Sequence, residues 1–226
     1  DSGTPLWTYT TGYLVRSVSI SSNGSSIAVG SDDNKVYLFS KDSNAPIRSY
    51  ATGDFVSSVS ISSDGSHITV GSYDDKVYLF SEDSGTPLWT YTGATEYPLS
   101  SSISSDGRYV VAGMRNFNTY LFGKDNNTPI WVSKTNNYIY SVSISSDGSY
   151  MAAGGADPSG GSNPEYAPRV YFFSNADNTP LWTYATASTV NAVSINSNGN
   201  YMAAGSGDNT VYLFSKDDNT PIWTYT

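Results

Sequence analysis

Short runs of alternating apolar and small polar residues fill this chain, and they return in the same order about every 41 residues. In the first unit Val15–Ser21 (VRSVSIS) alternates with period two, the pattern of a strand that buries one face and wets the other. After Ser22-Asn23-Gly24 comes a second run, Ile27-Ala28-Val29-Gly30, and then Val36-Tyr37-Leu38-Phe39. The unbroken β-branched and aromatic content of that third run predicts a strand covered on both faces. A polar turn, Asp42-Ser43-Asn44, leads to a fourth run of the type Pro5-Leu6-Trp7-Thr8-Tyr9. Proline cannot donate to a ladder, so this run belongs on a sheet edge.

The order outer, inner, middle, middle recurs in five units: 1–41, 42–82, 83–124, 125–175 and 176–216, followed by a stub at 217–226 that repeats only the outer run. Each unit carries Asn-Gly or Asp-Gly between its inner and first middle runs, at Asn23, Asp64, Asp106, Asp147 and Asn198. That pair is a strong hairpin signal, and in its tightest form both residues take φ > 0. A repeat of roughly 40–45 residues that reads as four short strands is the signature of a β-propeller blade. The expected fold is therefore all-β: a single domain over 1–226, a propeller of five four-stranded blades. Ring closure would place Pro5–Tyr9 as the outer strand of the last blade and leave Pro221–Tyr225 as a surplus C-terminal strand. That strand is expected to displace the N-terminal one, to pair with a second molecule or to mark a cut through a longer array of about six to eight blades. Since an unpaired strand is a template for association, a homo-oligomer through this edge is among these expectations.

Composition narrows the partners. The formal charge is −9, with 20 acidic residues against 11 basic ones scattered singly, and no basic cluster is available to displace counterions from phosphates, so nucleic acid is not expected. No apolar run reaches the roughly 20 residues of a membrane helix, and membrane insertion is not expected. There is no cysteine. Few charges with abundant Ser, Thr, Asn, Gly and Tyr point to a secreted or cell-surface protein.

The segments Val18–Ser31 and Asp33–Phe39, of the form V-S-I-S-S-[DN]-G-x-x-x-A-x-G-S then D-[ND]-x-V-Y-L-F, resemble WD-repeat propellers. The junction VYLFSEDSGTPLWTYTG, Val77 to Gly93, resembles the quinoprotein (PQQ-type) repeat, in which a polar turn precedes an outer-strand Trp. Both resemblances imply the propeller. The Gly-His and Trp-Asp places of WD repeats hold other residues here, and Asp33, Asp74 and Asp208 are the remnant of that family's hydrogen-bonded network. Nothing matches a quinone site, and no cofactor is expected.

Catalytic chemistry finds little support. His67 is the one histidine, at a strand position filled elsewhere by Ser26, Tyr109, Tyr150 and Tyr201, with no orienting partner for a general base. Without Cys a zinc site is not expected, and no copy shows the alternating oxygens of a calcium loop. The informative positions are those where the copies differ. Unit four carries ten extra residues within Gly155–Pro168, and unit three one extra residue near Thr95-Glu96-Tyr97. A propeller presents both insertions on one face, with Tyr13, Asp54, Phe55, Tyr138 and Tyr140. Adding Glu96, Tyr97, Asp157, Glu165 and Tyr166 gives the expected binding face, since recognition concentrates on loops held by a rigid scaffold. The expected function is a non-catalytic module that binds or scaffolds a protein partner or itself. The alternatives are a lectin-like multivalent carbohydrate binder, with equivalent pockets between blades, and an enzyme.

Overall fold

In a computed structural model, which describes residues 3–156 and 164–226, the repeats form five antiparallel sheets of four strands. The first holds β1 (Val15–Ile20), β2 (Ser26–Ser31), β3 (Lys35–Ser40) and β4 (Arg48–Ala51). The second holds β5 (Val56–Ile61), β6 (His67–Ser72), β7 (Lys76–Ser81) and β8 (Pro87–Tyr91). The third runs β9 (Pro98–Ile103), β10 (Tyr109–Met114), β11 (Asn118–Gly123) and β12 (Pro129–Lys134), and the fourth β13 (Tyr138–Ile144), β14 (Tyr150–Ala156), β15 (Arg169–Ser174) and β16 (Trp182–Ala185). The fifth is β17 (Val190–Ile195), β18 (Tyr201–Ser206), β19 (Val211–Ser215) and β20 (Trp223–Tyr225). Each outer strand comes from the start of the following repeat, so this is the five-bladed, four-stranded propeller plan that the periodicity predicts.

Burial follows the pattern. The third strand of each of the first four sheets is covered on both faces, that of the fifth on one, and Phe39, Phe80, Phe122, Phe173 and Phe214 are almost fully buried. Each such ring contributes about 2–3 kcal/mol of hydrophobic stabilisation. The first strands of the second to fifth sheets each have an edge to satisfy, and serines of the preceding sheet do so. Val59 and Ile61 donate their N–H groups to Ser17 and Ser19 Oγ at 3.0 and 3.1 Å, and Val193 and Ile195 donate theirs to Ser141 and Ser143 at 3.0 and 3.2 Å. The small polar residues of the period-two runs are thus joints between blades.

The hairpins differ in detail from the tight form. Glycine alone takes φ > 0, between 70° and 83° at Gly24, Gly65, Gly107, Gly148 and Gly199. The preceding Asn23 instead accepts the Ser25 N–H at 2.9 Å and the Ser21 hydroxyl at 2.8 Å, and Asp64 does the same for Ser66 and Ser62. A side-chain acceptor that ties down the next turn lets the loop lengthen to four residues, a form built around a type I turn.

The rim tryptophans lock neighbouring sheets. Trp89 lies 5.3 Å from Phe122 and donates Nε1–H to the Lys124 carbonyl at 3.0 Å, and Trp182 does the same to Phe214 and Lys216. Arg48, which replaces Trp in the second repeat, reaches the corresponding Glu82 carbonyl at 2.6 Å with Nε. It performs the same structural task.

Closure is where the structure departs from expectation. The outer strand of the fifth sheet is β20, from the C-terminal stub, paired with β19. Pro5–Tyr9 forms no strand, so it does not complete that sheet. The strand beyond the fifth repeat is present, surplus to the repeats and used by the last sheet. Inner strands pack in succession from β1 to β5, β9, β13 and β17, and among the described residues that succession does not return to β1.

Candidate functional site

Val15 at the start of β1 pairs with Ser31 at the end of β2, so the connection entering an inner strand and the turn leaving the second strand sit at the same end of a sheet. On that end the copies differ, and there the structure assembles a continuous row of rings. Tyr13 stacks on Phe55 with centroids 6.4 Å apart, Phe55 meets Tyr73 at 6.2 Å, and Tyr73 meets Tyr97 at 4.2 Å. Arg115 bridges the next step, its guanidinium 5.4 Å from the Tyr97 centroid and 5.3 Å from that of Tyr138. Phe117 closes the row against Tyr138 at 5.1 Å, nearly parallel. The belt crosses the first four sheets and stops at the fifth, where the matching positions are Ser188, Thr189 and Gly207.

Two arginines order the belt. Arg16 sits 5.6 Å from the centre of Tyr73 and pairs with Asp32, whose side chain is 1% exposed. Arg115 lies 3.6 Å from Glu96, a half-exposed pair that contributes little by itself. At such exposure a cation over a ring orients the pair more than it stabilises the fold. Together they fix the ring planes while leaving edges and faces open to solvent.

Phe117 has φ 68°. The matching turn positions in the other copies hold Asn34, Asp75 and Asn209 at φ 65°, 64° and 68°, residues that tolerate this conformation. A phenylalanine there costs about 1–2 kcal/mol of backbone strain. Strain of this kind concentrates where a site over-determines the backbone, and the ring it delivers is the last of the belt.

Behind the belt lies a structural network. Asp33 Oδ2 accepts the Gly12 N–H at 2.7 Å and the Tyr37 hydroxyl at 2.6 Å, Asp74 accepts Gly53 N–H at 2.8 Å and the Tyr78 hydroxyl, and Asp208 accepts Ala187 N–H at 3.1 Å and Tyr212 at 2.9 Å. Burial pushes these carboxyls up, but the tyrosine, backbone and serine donors outweigh it and hold all three below the usual carboxylate range. These aspartates therefore anchor the belt loops to the third strands.

Of the residues expected on this face, Tyr13, Phe55, Tyr97 and Tyr138 are in the belt, with Glu96 beside Arg115 and Tyr140 exposed at its inner edge. Asp54 serves its own turn, taking the Phe55 N–H at 2.8 Å. Glu165 is exposed on the short 3₁₀ turn Pro164–Tyr166, and Tyr166 gives its carbonyl to Asn137 at 2.9 Å. Asp157 lies outside the described residues. Tyr73, Arg115, Arg16 and Phe117 were not foreseen. The signal for two of them lies in the aligned repeats, where one turn position reads Asp32, Tyr73, Arg115 and Gly207, a variation no fold requirement explains.

One surface cavity of about 370 Å³ lies on the third sheet, beside Arg108, Tyr109, Lys124 and Asn126. Trp89, Trp131 and Trp182 are engaged with the following sheet.

The family model described as outer membrane protein assembly factor BamB matches residues 1–126, and the model described as WD domain, G-beta repeat matches residues 127–159 and 178–215. The chain matches no curated protein.

Proposed function

The chain belongs to the family described as outer membrane protein assembly factor BamB, and from that premise we propose that it is a non-catalytic binding propeller whose aromatic and arginine belt captures a protein partner. The strained Phe117, held at φ 68° and stacked on Tyr138, carries this proposal. Aromatic rings and arginine are the residues enriched in interface cores and hot spots, and the belt offers six rings on a rigid base. A secreted or surface location suits its polar, lightly charged composition.

The acidic groups favour binding over acid–base catalysis. A general acid works with a raised pKa, whereas Asp33, Asp74 and Asp208 are held low by bonds that the turns need. His67 Nδ1 lies 2.6 Å from the Ser66 hydroxyl, which bonds the Asp64 carboxylate at 2.8 Å, and among the described residues no carboxylate bonds the ring directly.

A carbohydrate is the second class of ligand, favoured by the exposed face of Tyr13 at the end of the row. Peptide-display selection and a glycan array, each run with the wild type and with Tyr73→Ala/Arg115→Ala, separate the possibilities. Selected peptides that lose about thirtyfold in affinity with the double variant, the size of a hot-spot truncation of about 2 kcal/mol, support the proposal. Glycan binding with the same sensitivity replaces the partner class. Ligands that bind both proteins equally, or none in either screen, overturn it.

A further inference from the structure

The two ends of the blade series are complementary surfaces left open. Within the chain, each sheet receives the next in one manner. Val170 and Phe172 of the fourth sheet cover Val190, Val193 and Ile195 of the fifth, and Gly154 approaches Val190 so closely that a Cβ there would lie 2.6 Å from its methyl. Gly30 meets Val56 in the same way at 2.5 Å. A second contact binds the turns, where the N–H groups of Ser22, Ser63, Ser105 and Ser146 donate to the carbonyls of Ser63, Ser105, Ser146 and Ser197 at 2.9–3.0 Å.

Each motif stops at the ends. Gly205 of the fifth sheet, the counterpart of Gly154 and Gly30, would place a Cβ with nothing within 4 Å. On the first sheet, Val15, Val18 and Ile20, the counterparts of Val190, Val193 and Ile195, are 50%, 66% and 61% exposed. The serine ladder ends at the Ser22 carbonyl and the Ser197 N–H.

The open side of the first sheet is also shaped as a socket. The N-terminal Trp7 packs 5.4 Å from Phe39 and donates to the Lys41 carbonyl at 2.8 Å, and Tyr9 lies 5.4 Å from Tyr37. Trp182 and Tyr184 make the same contacts with Phe214, Lys216 and Tyr212. The N-terminal segment therefore lies where the outer strand of a preceding blade belongs, beside the place that the other three strands of such a blade take. Two cavities of about 400 and 170 Å³ mark their place, between Ile20, Ile27, Val15 and Val18 on one side and Trp7 and Tyr9 on the other.

We infer that the open side of the fifth sheet docks head to tail on the open side of the first sheet of a second copy of this chain. The chemistry is that of the four interfaces already present. A second copy satisfies both ends without altering those interfaces, whereas meeting within one chain requires all four close-packed contacts to shift, and such interiors resist it. A head-to-tail contact of this kind builds a closed ring or an open array. Thr4–Thr10 (TPLWTYT) and Thr220–Thr226 (TPIWTYT) hold the same repeat position, so in the docked pair one segment displaces the other as outer strand. This inference does not rest on the belt.

The absence of cysteine makes the test direct. Ser22→Cys and Ser197→Cys are prepared as separate proteins and mixed under mild oxidation, and the untagged wild type is sedimented at rising concentration. A disulfide-linked mixed dimer is expected, with wild-type mass rising above the 24.3 kDa monomer. Val18→Asp should weaken that association at least tenfold while keeping the native circular dichroism. A monomer that persists to about 100 µM, a hundred times the Kd of a micromolar contact, overturns the inference. So does a double Ser22→Cys/Ser197→Cys protein that cross-links only within its own chain.

Discussion

At the scale of single residues, Phe117 is the position where local preference and placement disagree. Its φ of 68° suits the Asn or Asp found in sister turns, while its ring completes the belt on Tyr138. Phe117→Asn is therefore expected to raise the unfolding free energy by about 1 kcal/mol and to weaken capture at the belt about tenfold, read by denaturant titration and by ligand titration. Loss of stability would instead make the ring part of the core. Arg48 is the opposite case, an odd residue that keeps the ordinary job. Arg48→Ala should cost about 1 kcal/mol through lost bonds to the Glu82 and Asp83 carbonyls. Arg48→Trp should recover it, because Trp89 and Trp182 hold the matching carbonyl at their own joints; a Trp variant no better than Ala in thermal unfolding would contradict that account.

At the scale of strands and sheets, the chain repeats one interface four times and leaves its two halves bare at the ends. Equivalent glycines should then respond unequally. Gly154→Ala drives a methyl toward Val190 and is expected to destabilise by about 1–3 kcal/mol, the usual cost of overpacking. Gly205→Ala meets open space and should change monomer stability by less than about 0.5 kcal/mol. Equal losses in the two variants, measured by chemical unfolding at low protein concentration, would mean that the fifth sheet is covered within one chain. The sheets themselves were legible from period-two runs and buried aromatic strands. The hairpin form was not, because Asn23 and Asp64 act through side-chain acceptors that lengthen the loop, and an Asn-Gly or Asp-Gly pair serves short and long turns alike.

At the scale of the whole molecule, repetition also sets the response to acid. Asp33, Asp64, Asp74, Asp147 and Asp208 all have carboxyls held below their ordinary range by serine, tyrosine and backbone donors, against opposing burial that is the largest influence on all but Asp147. A carboxyl with a lower pKa folded than unfolded stabilises the fold above its unfolded pKa of about 3.9 and loses that contribution as pH falls through the folded value. The melting temperature should be nearly flat from about pH 5 to 8 and fall below about pH 4, with the fall shallower in Asp74→Asn. An equal slope in the variant would assign acid unfolding to other carboxylates.

The sequence by itself determined the strands, their order within a blade and the number of blades, since these follow from local periodicity repeated in register along one chain. It also marked half of the belt, because Tyr13, Phe55, Tyr97 and Tyr138 stand in connections that a propeller gathers on one face. Tertiary structure alone decided that Tyr73, Arg115 and Phe117 join those rings, since they come from a different turn and meet only when sheets lie side by side. It alone decided the fate of the ends as well. Two segments as similar as TPLWTYT and TPIWTYT have the same local preferences, so which of them becomes a strand depends on the neighbour that is present to pair with it.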